Sequence, residues 1–143
     1  MKYAIVTLAG LAFLAGSATT LPALAETQSY KAALKGTDEV PATTSKGTGA
    51  AELTYDTATK KLSYKITYSG LSGAATAAHI HGPAEAGKNA GVAVPFANPA
   101  SPIEGSAVLT DAQAADLASG KMYVNVHTEA NKGGEIRGQI VKN

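Results

Sequence analysis

The stretch Leu62-Ser63-Tyr64-Lys65-Ile66-Thr67-Tyr68 alternates without a break between large apolar and polar side chains. Successive side chains of a strand turn to opposite faces, so a period of two marks a strand with one face on a core. Just upstream, Ala51, Leu53 and Tyr55 alternate with Glu52 and Thr54, and the polar connector DTATKK, Asp56–Lys61, separates the two runs. Two alternating runs joined by a polar turn read as a β-hairpin.

The same reading extends in both directions. Strand candidates are Ser29–Lys35, Ala75–His81, Gly91–Phe96, Ile103–Leu109, Lys121–His127 and Glu135–Val141. Between them lie clusters of Gly, Pro, Asn and Ser: GLSG, GPAEAGKNAG, ANPASP and NKGG. These residues favour turns and interrupt ladders. About eight short strands separated by turns predict an all-β, antiparallel Greek-key sandwich or barrel. One short helix interrupts the strands. Thr110 and Gln113, three apart, form a capping-box pattern before Ala-rich sequence, and Gly120 supplies the stop.

The N-terminus reads differently. Lys2 is the only charge before Glu26, and the run YAIVTLAGLAFLAG leads to small residues at Ala23 and Ala25. A basic start, an apolar segment and an A-x-A box predict a secretory signal cut after Ala25, leaving a single domain over 26–143. The apolar run is short for a membrane span. Removal of Lys2 leaves 11 basic against 11 acidic side chains, a formal charge of zero. Neither nucleic acid nor a membrane surface is an expected partner of so balanced a chain. There is no cysteine, which excludes disulfides, thiolate nucleophiles, Cys-rich zinc sites and blue-copper centres. A periplasmic or secreted location is expected.

The three histidines are His79 and His81 in AAHIHGPA and His127 in YVNVHTEA. On a pleated strand His79 and His81 share a face opposite Ala78 and Ile80. In the second segment Val124 and Val126 take one face, and Tyr123, Asn125 and His127 the other. With the aliphatic residues in the core, all three histidines fall on its non-core face or rim. Two imidazoles one strand repeat apart, and a third from another segment, can chelate copper or zinc and leave a position for water. The competing reading is three solvated or hydrogen-bonded histidines beside turns.

Other residues carry weaker signals. Asn125 shares the face of His127 and can orient an imidazole. Arg137 alternates with Ile136 and therefore also faces away from the core; it is either an anion guide beside a metal or, the favoured reading, a surface partner for Glu135 or Glu129. Glu85 and Glu129 follow the histidine segments and are minor candidates for a carboxylate ligand. Tyr64 and Tyr68 belong with the core, and Tyr123 can line the histidine face. Gly82-Pro83 ends its strand. Ser72, Ser101 and Ser106 lack a nucleophile-elbow context, and no H-E-x-x-H helix is present.

Four segments in order, GTDEVPA (Gly36–Ala42), AAHIHGPA (Ala77–Ala84), LASGKMYVNVHT (Leu117–Thr128) and GGEIRGQI (Gly133–Ile140), resemble the CHRD domain, the module first described in chordin. The resemblance spans about Tyr30 to Val141. It implies an exported bacterial protein whose family motif includes His79, His81 and His127. It also implies the alternative to a metal site: a non-catalytic module that binds an extracellular protein or surface polymer, as in chordin. A more distant similarity is to copper–zinc superoxide dismutase, through the strand H-x-H, the later histidine and the glycine-rich approach to an arginine. That similarity implies copper on His79, His81 and His127, superoxide or related oxygen chemistry, and Arg137 as an anion guide. The chain departs from it by lacking a fourth copper histidine, a bridging histidine and a disulfide.

Overall fold

The computed structural model describes residues 25–143; the expected signal segment lies almost wholly outside them. The hairpin that opened the sequence reading lies toward one edge of the sheet. Strands β2 (Thr48–Asp56) and β3 (Lys61–Ser69) pair antiparallel from Thr48↔Ser69 to Asp56↔Lys61. Asp56 closes their turn by accepting the amides of Ala58 and Thr59, and Lys60 takes the left-handed conformation at φ 58°. Strand β1 (Thr27–Lys35) runs along the other side of β2 over its whole length.

The remaining strands are β4 (Ala75–His81), β5 (Val92–Pro95), β6 (Ile103–Val108), β7 (Tyr123–Thr128), β8 (Ile136–Gln139) and β9 (Val141–Lys142). Their order is β5-β4-β7-β8-β1-β2-β3-β6, with β9 also on β1. Every pairing is antiparallel. The chain crosses from β3 to β4 at the far side of the sheet and returns from β5 to β6, a Greek-key path. The sheet curls on itself as it does so: Phe96, just after β5, meets Tyr64 of β3 at 4.6 Å between ring centroids, and the Tyr68 hydroxyl donates to Pro99 O at 2.6 Å. The all-β, barrel-like sandwich read from the sequence is the fold.

The predicted final strand is two. Ile140, fully buried, separates β8 from β9 and bonds through its amide to Met122 O. Helix α1 (Asp111–Ala118) has the predicted capping box, with both Thr110–Gln113 bonds formed. It ends on Gly120 at φ 71°, where the amides of Gly120 and Lys121 reach Leu117 O and Asp116 O. That paired closure is a Schellman stop, which needs a residue free to adopt positive φ. The helix buries Leu117 against the core and bonds β5 through Gln113 Nε2 to Ala93 O.

The core takes one face of each strand: Leu34, Leu53, Leu62, Ile66, Ala78, Ile80, Val124, Val126 and Ile136 are essentially inaccessible. Tyr64 and Tyr68 are partly buried against it. The opposite face of β4, β7 and β8 is largely covered, with His79 and His127 left partly accessible. The loop Gly82–Gly91 folds back across it, and the 3-10 turn Gly36–Asp38 with Glu39 and Val40 closes its other side. A second, polar layer lies beneath.

Candidate metal centre

Register brings the histidines together. In the β4–β7 ladder Ala77 lies opposite His127, His79 opposite Asn125, and His81 opposite Tyr123. In β7–β8, Tyr123 lies opposite Gln139 and Asn125 opposite Arg137. His79 and His127 are therefore diagonal neighbours on one face, within reach of long side chains. The β4–β5 register shifts between Ile80 and His81, a bulge beside the site of the kind that re-aims side chains.

The ring atoms follow. His79 Nδ1 lies 3.1 Å from His127 Nε2. His81 Nε2 and His127 Nε2 each lie 3.0 Å from Asn125 Oδ1. One ring nitrogen from each histidine falls within 4.8 Å of the others, and among the described residues this is the one such grouping of His, Asp or Glu.

The outer ring nitrogens fix the tautomers. His81 Nδ1 lies 3.0 Å from Ala90 O, and His127 Nδ1 lies 2.9 Å from Lys132 O. A carbonyl oxygen only accepts, so both Nδ1 atoms carry the proton. In a neutral imidazole the Nε2 atoms are then bare lone pairs, and both face Asn125 Oδ1, another acceptor. Three acceptors converge, and the ring nitrogen beside them, His79 Nδ1 at 3.1 Å from His127 Nε2, has no carbonyl partner to fix its own tautomer. Protonating the rings is disfavoured where burial holds the pKa below the ordinary histidine value, as it does for His81, and for His79 with the neighbouring His127 and His81 adding to it. A cation at the convergence would satisfy all the lone pairs. Pinning one imidazole nitrogen on a carbonyl to free the other is also how metal-ligating histidines are commonly oriented.

Around this centre the layer is tightly held. His81 stacks flat on Tyr123, 4.9 Å between centroids and 4° between planes. Arg137 lies over the Tyr123 ring at 3.4 Å. The expected exposed Arg137, paired with Glu135 or Glu129, is corrected here. Arg137 is 1% exposed, and its guanidinium donates to Asn89 Oδ1 at 3.1 Å and Lys88 O at 2.5 Å, in the loop that covers the face. Glu129 instead pairs with Lys132 at 2.8 Å. Glu135 is fully buried and receives Ser45, Ser72, Thr128 and Asn131. Neither Glu85 nor Glu129 joins the histidine cluster.

The matching family model spans residues 30–140 and is that of the CHRD domain. The chain belongs to the CHRD family. Searches of curated proteins and of solved structures gave no significant match. All three histidines, Asn125 and Arg137 lie inside the CHRD match.

Three parts of the site in this CHRD domain were not singled out from its sequence. Ala90 O and Lys132 O act through the backbone, so no side-chain pattern marks them. Glu39, which is 5% exposed, sits beside Asn125 and was visible only as one of the two acids within GTDEVPA.

Proposed function

We propose that this CHRD domain binds a copper or zinc ion through His79, His81 and His127. The observation that carries the reading is the pair of Nε2 lone pairs, freed by Ala90 O and Lys132 O and aimed at one place with His79 Nδ1 beside them. The donor chemistry fits: neutral imidazole nitrogens suit both metals, and no thiolate is required. Ligand nitrogens about 2.0–2.1 Å from zinc stand about 3.4 Å apart. The 3.1 Å pair is already near this separation, and the outermost pair, within 4.8 Å, has to close. His79 and His127 are both partly buried, and His81 is the buried member of the set.

Bound zinc supplies Lewis-acid chemistry, and bound copper adds one-electron redox chemistry, including reaction with superoxide. The residues of the chain hold the His81 and His127 rings in one tautomer, screen the site beneath the Gly82–Gly91 loop and leave His79 and His127 partly accessible. The export expected from residues 1–25 places the domain in the periplasm or outside the cell, where its partner is the metal ion.

The test is titration of Glu26–Asn143 with Cu(II) and Zn(II), beside the His79→Ala/His127→Ala double variant. Tight one-to-one binding that the variant loses supports the reading. Equal, weak binding by both proteins refutes it. Superoxide dismutation by the copper-loaded form is measured separately.

A further inference from the structure

Asn125 occupies an odd position for a residue that only orients its neighbours. Its Oδ1 stands 3.0 Å from two imidazole nitrogens whose protons are held elsewhere, so it neither donates to them nor receives from them. The separations run 3.1 Å from His79 to His127, 3.0 Å from His127 to Asn125 and 3.0 Å from Asn125 to His81. Donor atoms that share one ion stand about this far apart when each is roughly 2.1 Å from it. Oδ1 is thus spaced as a member of the donor set.

What keeps Oδ1 there is on the other side of the amide. Turning the amide over would let Nδ2 donate to the imidazoles, but it would face Oδ1 toward Glu39. Glu39 is 5% exposed, and its Oε1 has no aligned hydrogen-bond partner. Asn125 Nδ2 lies close to that oxygen. A Cβ placed on Gly134 would strike Glu39 Oε1 and come within 2.7 Å of Nδ2. Gly134 holds φ 127°, so a residue without a side chain makes room for the pair. An acceptor oxygen beside the amide favours Nδ2 toward itself and Oδ1 away.

We propose that Asn125 Oδ1 is a fourth protein donor to the ion, and that Glu39 is the positioning residue that turns this oxygen, rather than the amide nitrogen, toward the histidines. The proposal rests on the three-histidine reading. It gives the ion an N3O shell supplied by the chain, with a neutral oxygen in the place where Glu85 or Glu129 was considered from sequence.

The experiment uses Co(II) and Zn(II) on the full 26–143 chain, reading affinity and the visible absorption of the cobalt form. If the wild type binds neither of these ions nor Cu(II), the three-histidine reading fails before any variant is made. If it binds, Asn125→Leu is expected to lose at least the roughly 10–100-fold in affinity that removal of an outer-shell partner costs, and to shift the cobalt bands. Wild-type affinity and spectrum in Asn125→Leu overturn the proposal. The second arm exchanges the two groups. Asn125→Asp alone sets two buried carboxylates side by side, whereas Glu39→Gln/Asn125→Asp restores one amide and one carboxylate, with an oxygen still toward the ion. The double variant is expected to recover or exceed wild-type affinity. A folded double variant that binds no better than Asn125→Asp overturns the proposal, whether or not Asn125→Leu folds.

Discussion

Glu135 should make this domain acid-sensitive, and by an amount its surroundings set. The carboxylate is fully buried, with no cation paired to it among the described residues. Burial pushes its pKa up. Against that, Ser45 and Ser72 donate to Oε1 at 2.7 Å each, the Ser72 and Thr128 hydroxyls to Oε2 at 2.6 and 2.5 Å, and Asn131 to Oε2 at 3.1 Å. The hydrogen bonds win, and the pKa falls from 4.5 to about 2. Each bond to a charged group is worth about 1.5–3 kcal/mol, and stranding the ion in the interior costs several kcal/mol, so a net gain of a few kcal/mol is consistent with both.

The shift converts to about 3 kcal/mol at roughly 1.4 kcal/mol per unit. The folded pKa is depressed, so the unfolded chain binds the proton first. The stabilisation is complete above the unfolded value of 4.5 and drains away as pH falls toward about 2. Urea unfolding across that range, on wild type and Glu135→Gln, measures it. The variant is expected to be less stable by about 3 kcal/mol near neutrality, with the gap closing toward about pH 2. A gap that stays constant with pH would refute the assignment of the charged carboxylate as the source. The consequence reaches the metal centre. Asn131 and Glu135 bracket the turn that carries Lys132 O, which pins His127. Glu135→Gln should therefore weaken metal binding even where most of the protein is folded.

Glu39 should act with the opposite sign: its raised pKa adds stability on the acid side that is lost as pH rises through the folded value, so wild type compared with Glu39→Gln should fare best in acid, as unfolding at two pH values would show. Tyr123→Ala removes the ring between His81 and Arg137 and should cost about 3–5 kcal/mol, as other buried aromatics do, together with a loss of metal affinity, read by thermal melts and titration. Gly138→Ala drives a Cβ into Ala33 O and C across the β1–β8 contact and should destabilise by about 1–3 kcal/mol without altering the donor set in whatever fraction folds. Zinc at about 100 times its Kd should raise the wild-type unfolding free energy by about 2.7 kcal/mol, and His79→Ala/His127→Ala should abolish that increment in calorimetry.

Alternation was enough to place the core and to choose the side of each histidine. Ile80, Val124 and Val126 are buried against it, and His79, His81 and His127 share the other face. Even the bounds of β4 and the capping of α1 were local enough to read. What alternation does not report is what lies beyond the second face. The cover comes from Gly82–Gly91 and from Glu39–Val40, and its docking bonds run from Lys88 and Asn89 to Arg137, and from Asn89 to Val40, 48 or 49 residues away in sequence. No short-range pattern encodes such a bond. Arg137 therefore reads as a surface charge in sequence and proves to be a stacked interior one, and Glu135 reads as its partner and proves to be a separate anchor.

The same gap explains why spacing alone left the histidines undecided. H-x-H says that two rings share a face, which solvated histidines also do. The distinction lies in their unshared nitrogens. On an open face, water satisfies every ring nitrogen, and nothing follows from where the rings point. Under a cover, each nitrogen must have a partner. Ala90 O and Lys132 O satisfy the outer nitrogens and, by doing so, strip the inner ones of protons. It is these two carbonyls, one in the covering loop and one in the β7–β8 turn, rather than the H-x-H spacing, that leave His81 and His127 with unprotonated inner nitrogens suited to the proposed ion.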